Sequence, residues 1–186
     1  MLNHLIETLK KDEAIWANFQ EAFIENKIAA KTILLKEGEI ANRFHFVKKG
    51  CLRMWFNKEG KDITLQFFFE GQVVASIDSL LNNQPSMFTI ESIEPSTIVS
   101  IDKSSFEQLN HLYPELRDGF QKIILQRFNN YAQLFLSRIK DSPRERHNDI
   151  VHNQPEIIKR VPQHYIASYL GISPVSLSRI RNKKIK

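Results

Sequence analysis

The hydrophobic positions of this chain follow helical spacing near both ends and strand-like spacing between residues 28 and 101. The N-terminal apolar positions predict amphipathic helices; they are Leu2, Leu5, Ile6, Leu9, Ile15, Trp16, Phe19 and Phe23. The middle segment contains short apolar or alternating runs, separated by turn sequences such as Glu37-Gly38-Glu39 and Asn57-Lys58-Glu59-Gly60. Regularly spaced short strands with glycine-bearing turns predict an antiparallel sandwich or barrel.

A long helix is predicted after a short one at residues 104–112, for which Ser104 or Ser105 is the expected N-cap. The long helix begins at Pro114 and ends at the helix-breaking sequence Asp141-Ser142-Pro143. Its apolar positions are Leu116, Phe120, Ile123, Ile124, Phe128, Tyr131, Leu134, Phe135 and Ile139. This stripe is too wide for one packing partner, so it can contact the barrel on one side and a twin helix on the other. The alternative is a core helix in a monomer.

Residues 161–186 contain two short helical patterns that flank Gly171. Glycine suits a sharp corner because it adopts positive φ without steric cost. Ser173 is a good N-cap for the second helix, and Pro174 falls at the first helical position, where its missing N–H costs nothing. The apolar positions have the spacing of a small buried seam: Ile166, Ala167, Leu170, Ile172, Leu177 and Ile180. The pattern predicts a helix-turn-helix whose second helix exposes Val175, Ser178, Arg179 and Asn182.

The excess positive charge of the chain lies wholly in residues 155–186. Residues 155–186 contain seven Lys or Arg and one Glu, a net charge of +6, whereas residues 1–154 have a net charge of −1; together these make the formal +5 of the chain. No acidic residue follows Glu156. Such a localised excess indicates a surface that contacts nucleic-acid phosphates.

Composition excludes several other classes of protein. Hydrophobic content of 42% and charged content of 25% are ordinary for a water-soluble chain. No apolar run approaches the roughly 20 residues that span a bilayer, and no secretory signal is visible, so we expect a cytoplasmic protein without a membrane partner. The chain has one cysteine, Cys51, which cannot form an intrachain disulfide and is too few for an iron–sulfur cluster. His45 or Cys51 is conceivable as a haem ligand, although a lone strand histidine is usually structural.

The segment Ile166-Ala167-x-x-Leu170-Gly171-Ile172-Ser173, followed by Leu177-Ser178-Arg179, closely resembles the helix-turn-helix of the cyclic-AMP receptor protein/fumarate-nitrate regulator (Crp/Fnr) family. The resemblance implies a dimeric bacterial transcription factor of α+β class. Its N-terminal double-stranded β-helix would be a jelly-roll sensor similar to cyclic-nucleotide-binding domains. The implied domains are a sensor at residues 1–113, a dimerisation helix at 114–141 and a DNA-binding domain at 142–186. Because the sequence ends at Lys186, we expect the β-hairpin wing of a winged helix to be truncated.

The resemblance also implies the partners and their contact residues. A palindromic double-stranded operator requires a two-fold dimer, and RNA polymerase is a further partner that such regulators allow. The implied dimer interface contains Phe120, Ile124, Phe128, Tyr131, Leu134 and Phe135. Pro174, Val175 and Arg179 fall on the positions that face base edges. Arg179 matches the family residue and is expected to bind a guanine, whereas Val175 replaces a glutamate and can only contact an apolar group such as a thymine methyl. The other expected DNA contacts are Gln163, Ser173, Ser176, Ser178, Arg181, Lys183 and Lys184, together with Lys186 on phosphates.

The sensor segment departs from the ligand-binding pattern of the family. Ligand-binding members hold the cyclic phosphate with a Gly-Glu-Leu segment and an Arg-Ser pair. Here glycine is replaced by Ala75, glutamate by Ser76 and Arg-Ser by Ser86-Met87. The degenerate pocket comprises Val74, Ala75, Ser76, Ile77, Ser86, Met87 and Phe88. No Lys or Arg lies between Lys61 and Lys103, so a phosphate would lack a local cation and cAMP or cGMP should bind weakly or not at all.

Three alternatives stay open at this stage. An unidentified uncharged or lipid-like effector could enter an apolar cavity formed by Phe67, Phe68, Phe69, Met87 and Phe88, although these residues are more often barrel core. A catalytic cupin would need several metal ligands, but the barrel segment contains only His45, and no catalytic motif occurs, so neither enzyme activity nor a metal is expected. A ligand-binding signalling module that does not act through DNA would explain the barrel but not the cationic C-terminal segment.

Overall fold

The computed structural model describes residues 7, 9–11 and 13–182. The predicted helical positions Leu2, Leu5 and Ile6 and the basic residues Lys183, Lys184 and Lys186 lie outside the described residues. The helices are α1 (Glu13–Phe19), α2 (Ile77–Asn82), α3 (Lys103–Leu112), α4 (Pro114–Lys140), α5 (Pro143–Asn153), α6 (Pro155–Arg160), α7 (Gln163–Leu170) and α8 (Pro174–Asn182), with a 3-10 turn at Gln20–Ala22. The strands are β1 (Ile24–Ile28), β2 (Ile33–Leu35), β3 (Arg43–Lys49), β4 (Leu52–Lys58), β5 (Lys61–Phe68), β6 (Val73–Val74), β7 (Thr89–Ser92) and β8 (Ser96–Asp102).

The predicted jelly roll is confirmed. The strands form two four-stranded sheets, in the orders β1-β8-β3-β6 and β2-β7-β4-β5, with antiparallel pairing. Four consecutive residues of β3, from Phe44 to Val47, are buried, because this strand lies inside its sheet. Gly38 and Gly60, in the predicted turn sequences, have positive φ, as do Gly50 and Gly71 at two further turns of the jelly roll.

Two elements were absent from the sequence prediction. Strand β1 has the sequence IENKI, with Ile24 exposed, and therefore lacks the alternation that marks a half-buried strand. Helix α2 has only six residues, which is too short for helical periodicity to be visible. The predicted cap of α3 is also corrected. Asp102, and neither Ser104 nor Ser105, is the N-cap, since its carboxylate accepts the backbone N–H of Ser105 at 2.9 Å.

The chain divides into two compact units. The N-terminal unit contains the residues up to Phe56 and Phe67–Phe120; the C-terminal unit contains Asn57–Gln66 and the residues from Gln121 onward. The tip of the β4–β5 hairpin is therefore part of the C-terminal unit, and α4 is divided after Phe120. The functional boundaries predicted after residues 113 and 141 stay predictions.

Three aromatic rings close the core of the N-terminal unit where the strands meet the following helices. Phe44 of β3 lies with its ring centroid 4.1 Å from that of Phe106 in α3 and 5.4 Å from that of Phe120 in α4. Phe106 and Phe120 are 4.9 Å apart in an edge-on arrangement. Aromatic pairs at these separations contribute beyond the area that they bury. The first turns of α4 are therefore packed against their own chain.

Candidate DNA interface and sensor site

The turn between α7 and α8 has the geometry predicted for a helix-turn-helix. Gly171 has φ 68°, and its N–H and that of Ile172 donate to the carbonyls of Ser168 and Ala167, which closes the C-terminus of α7. Ser173 caps α8, because its hydroxyl accepts the N–H of Ser176 at 3.1 Å. The buried seam contains Ile166, Ala167, Leu170 and Leu177, with Ile172 and Ile180 half-buried.

One face of α8 is exposed. Val175 is 60% exposed, and Ser178, Arg179, Arg181 and Asn182 are also at the surface. Among the other predicted contact residues, Gln163, Ser173 and Pro174 are exposed, and Ser176 is half-buried. Val175 is thus accessible on an otherwise polar helix face.

A groove of 610 Å³ lies between this face and the N-terminus of α5. Its lining residues are Ser142, Pro143, Arg144, Ser176, Ser178, Arg179, Ile180 and Asn182. The α5 terminus has a capping box, in which Ser142 Oγ accepts the N–H of Glu145 and the Glu145 carboxylate accepts the N–H of Ser142 at 2.7 Å. Sequence reasoning missed Ser142 and Arg144 as site residues. The Ser-x-x-Glu spacing at residues 142–145 is the signal that could have revealed this helix start.

Two arginines fix the C-terminus of α7. Arg138 Nη2 donates to the carbonyl of Tyr169 at 3.0 Å, and Arg146 Nη2 donates to that of Leu170 at 3.1 Å. Arg146 also donates to the Asp141 carbonyl at 2.6 Å. Cations at the last carbonyls of a helix are favourable because the helix dipole is negative there. Helices α4 and α5 thus hold the helix-turn-helix through charged hydrogen bonds.

The outer face of α4 bears a regular apolar row. Leu125, Phe128, Ala132, Phe135 and Ile139 are exposed and are spaced alternately by three and four residues. Phe128 and Phe135 are 69% and 65% exposed. This spacing is that of a coiled-coil seam, which normally packs against another helix.

The structure revises the predicted dimer set in part. Phe128 and Phe135 belong to the exposed row, whereas Ile124, Tyr131 and Leu134 are half-buried within the chain. Burial raises the pKa of the Tyr131 hydroxyl. Phe120 is only 9% exposed and packs against Phe44 and Phe106 of its own chain, so it is removed from the set.

In the predicted sensor segment, the hydroxyls of Ser76 and Ser86 form a hydrogen bond with each other. By the resemblance, these residues replace the glutamate and the arginine that hold the cyclic nucleotide. Ser76 Oγ and Ser86 Oγ are 2.9 Å apart. Ser86 Oγ also donates to the Phe88 carbonyl at 2.7 Å and accepts the Phe88 N–H at 3.1 Å. Ser86 is the donor in the bond to Ser76 Oγ, so its single proton is shared between Ser76 Oγ and the Phe88 carbonyl. Both hydroxyls are therefore used within the chain.

The remaining residues of the predicted pocket differ in how far they are buried. Val74 and Ala75 are buried, Ile77 and Phe88 are half-buried, and Met87 is 58% exposed. Met87 therefore does not line an enclosed apolar cavity. Phe67 and Phe68 are buried and Phe69 is half-buried, as expected of barrel core residues.

One buried ion pair lies in the N-terminal unit. Arg53 of β4 and Glu91 of β7 occupy directly opposite positions, and Arg53 Nε lies 2.6 Å from Glu91 Oε1. Across the part of the chain that the structure describes, Arg53 is the only buried Lys or Arg. Its charge is neutralised by Glu91, so an incoming phosphate would have to compete with a carboxylate.

The two candidate metal or haem ligands are both engaged in protein contacts. His45 Nδ1 lies 2.8 Å from Ser100 Oγ, and burial lowers the pKa of His45 to about 4, aided by nearby Arg43. Cys51 is buried, with its thiol directed at the Leu52 carbonyl. Within the described residues, no three His, Cys, Asp or Glu side chains are grouped for a metal ion. None of the described helices qualifies as a membrane span.

Parts of the chain are similar to known proteins. Residues 25–111 match the family model described as Cyclic nucleotide-binding domain. The chain is 23% identical over 108 residues to the cAMP-dependent protein kinase regulatory subunit of Blastocladiella emersonii, an overlap of 58% of this chain and 26% of that protein. It is 24% identical over 131 residues to patatin-like phospholipase domain-containing protein 7 of Rattus norvegicus. This overlap covers 69% of this chain and 10% of that protein. The chain thus spans about a quarter or less of these curated relatives.

Solved structures share the fold over nearly the whole chain. A CooA mutant from Carboxydothermus hydrogenoformans has a TM-score of 0.74 and 19% identity, covering 96% of this chain and 82% of that one. The c-di-GMP responsive global regulator CLP of Xanthomonas campestris has a TM-score of 0.72 and 15% identity, covering 92% and 91%. A Crp/Fnr family transcriptional regulator from Eubacterium rectale has a TM-score of 0.72 and 18% identity, covering 87% and 78%. The predicted Crp/Fnr fold is confirmed.

Proposed function

We propose that this chain, whose fold is that of Crp/Fnr regulators, is a dimeric, sequence-specific DNA-binding transcriptional regulator that acts in the bacterial cytoplasm. The observation that carries the proposal is the exposed face of α8. Arg179 and Val175 lie one turn apart on it, and no acidic residue follows Glu156 in the chain. A recognition helix in the major groove needs this combination of exposed readers and local positive charge.

The base-reading roles follow from chemistry. Arg179 can donate two parallel hydrogen bonds to O6 and N7 of a guanine. Val175 has no polar atom, so it favours the methyl group of a thymine at the neighbouring position. Ser178 lies between them on the same exposed face and can donate to a base or a phosphate.

Contacts to the DNA backbone would come from residues that line the groove between α5 and α8. The N-terminus of α5 and the side chain of Arg144 face the same groove as Arg179. Helix N-termini and arginines both bind phosphate oxygens, so a strand that enters this groove would meet them together. Lys183, Lys184 and Lys186 continue the positive charge beyond α8.

Dimerisation would use the exposed row on α4. When the apolar rows of two chains pack together with heptad spacing, Phe128 and Phe135 of each chain are removed from water, which stabilises the pair. A two-fold dimer presents two recognition helices to two half-sites, so the operator would be palindromic. As a transcriptional regulator, the dimer would also contact RNA polymerase.

The sensor is proposed to act without cAMP or cGMP. Ser76 and Ser86 bind each other at the positions where an acid and an arginine would hold the nucleotide, and the buried cation Arg53 is bound to Glu91. A buried phosphate without a cation is costly. An effector, where one exists, would therefore be uncharged, and no catalytic role is proposed for the chain.

The decisive experiment is selection of bound duplexes from a random pool, performed with and without cAMP. We expect enrichment of a two-fold motif that is the same in both arms. Absence of any enriched motif in dilute buffer would contradict the proposed function. A motif that appears only with cAMP would contradict the proposed sensor.

A second function is a ligand-binding signalling module that does not act through DNA. It is favoured by the relative named as a cAMP-dependent protein kinase regulatory subunit, which resembles only part of this chain. Calorimetric titration with cAMP separates the two proposals. Tight binding together with no duplex preference would support the signalling module.

A further inference from the structure

The tip of the β4–β5 hairpin contacts the first helix of the helix-turn-helix within the C-terminal unit. Strand β5 is the last strand in the order β2-β7-β4-β5, so it forms an edge of its sheet. An edge strand presents outward N–H and C=O groups that another element must satisfy or that water must solvate. The residues at the hairpin tip, Asn57–Gln66, group with the C-terminal helices.

A single hydroxyl on α7 satisfies two of these outward groups. Ser168 Oγ accepts the N–H of Thr64 at 2.8 Å and donates to the carbonyl of Asp62 at 2.6 Å. These two backbone groups are the pair that a neighbouring strand would bind. Serine can do this because one hydroxyl is both a donor and an acceptor. We call these two hydrogen bonds the Ser168 bridge.

The bridge adds to the contacts that orient α7. The carbonyls of Tyr169 and Leu170, directly after Ser168, accept hydrogen bonds from Arg138 and Arg146. Helix α7 is thereby attached to the hairpin through the Ser168 side chain and to α4 and α5 through its last two carbonyls. Helix α8 follows α7 after the tight turn at Gly171, so its direction depends on that of α7.

We propose that Ser168 is a positioning residue for operator recognition, an inference that rests on the proposed DNA-binding function. Two half-sites can be bound together only when the two recognition helices of the dimer have a fixed separation and angle. A recognition helix with no fixed orientation still allows one half-site to be bound. The recognition helix of the other subunit then meets the second half-site at a lower effective concentration. The Ser168 bridge therefore favours one half-site spacing without touching a base.

The test compares full-length wild type, Ser168→Ala and Ser168→Thr on three duplexes. These are the two-fold duplex enriched by the wild type from the random pool, a duplex that contains one of its halves, and the two-fold duplex with one added base pair between the halves. Ser137→Ala is the matched control, because the Ser137 hydroxyl bonds only its own helix, at the Leu134 carbonyl.

We expect Ser168→Ala to weaken binding of the two-fold duplex by about three- to tenfold, the effect of one or two hydrogen bonds. Half-site binding should be unchanged, and discrimination against the added base pair should fall. Ser168→Thr should restore both properties, because threonine keeps the hydroxyl. Ser137→Ala should match the wild type.

Each other outcome has a distinct meaning. Ser168→Ala that matches the wild type on all three duplexes would overturn the positioning role while leaving the DNA-binding function in place. Equal loss of affinity for the half-site and for the two-fold duplex would show that Ser168 maintains the fold of the helix-turn-helix. That result would also overturn the positioning role. Failure of the wild type to bind any duplex would refute both the proposed function and this inference.

Discussion

Arg53 and Glu91 are paired across adjacent strands inside the N-terminal unit, with Arg53 Nε 2.6 Å from Glu91 Oε1 and only 2% of the arginine side chain exposed. The guanidinium also lies 4.6 Å from the centroid of the Trp55 ring. A pair so buried is held by its geometry, because each charge has lost its hydration and depends on the other.

We predict that Glu91→Leu lowers the free energy of unfolding by about 3–5 kcal/mol, since it removes the carboxylate that neutralises a buried guanidinium. The double variant Arg53→Met/Glu91→Leu should recover most of that loss, because no charge is then buried. Urea denaturation measures both. The exposed pair of Lys48 and Glu25 is the control, and Lys48→Ala should cost less than about 1 kcal/mol. A double variant no more stable than Glu91→Leu would contradict this account.

Acid should destabilise the protein through His45. The pKa of this histidine falls from 6.5 to about 4 on burial, so the folded state keeps the ring neutral while the unfolded state takes up a proton. Stability is therefore complete above pH 6.5 and is lost as the pH falls toward 4, by roughly 3 kcal/mol at most. Denaturation of wild type and His45→Gln between pH 7.5 and about 4 should show a steeper decline in the wild type. Equal declines in the two proteins would contradict this role for His45.

Arg179→Ala should weaken binding to the selected duplex by about 1–3 kcal/mol and relax preference at one base pair, because the guanine contact is lost. Fluorescence anisotropy on the selected duplex and on its single-base variants measures both effects. Removal of Lys183 and Lys184 is the contrasting change. It should weaken binding to all duplexes and flatten the salt dependence, since phosphate contacts release counterions regardless of sequence. Equal loss on selected and random duplex after Arg179→Ala would falsify its reading role.

Replacing both Phe128 and Phe135 by glutamate should convert the proposed dimer to a monomer, because burying a carboxylate in an apolar seam is costly. We expect the dimer dissociation constant to rise at least roughly 100-fold, measured by sedimentation equilibrium. Phe120→Leu is the comparison, since Phe120 packs in the core of its own chain. That variant should lose stability and remain dimeric. A Phe120→Leu monomer at concentrations where it is folded would restore Phe120 to the interface.

Much of the helix-turn-helix could be predicted from the sequence, because it is specified by the backbone preferences and spacing of neighbouring residues. Gly171, Ser173 and Pro174 specify a turn and a helix start through their own backbone preferences, and Arg179 and Val175 take their exposed positions from helical spacing. The jelly roll was predictable for the same reason, since its strands are short and separated by turn glycines. Strand β1 and helix α2 were not, because their sequences have too little periodicity.

The sequence by itself determined the order of most elements, the helix-turn-helix, the location of the excess positive charge and the absence of Lys and Arg between Lys61 and Lys103, since each depends on residues close together in the chain. Only the tertiary structure decided which side of α4 is free, that Phe120 belongs to the core, that Arg53 is bound to Glu91, and that Ser168 bonds to a strand more than 100 residues earlier. These contacts join distant segments. They depend on how strands pair and helices pack, which hydrophobic spacing along one segment does not specify.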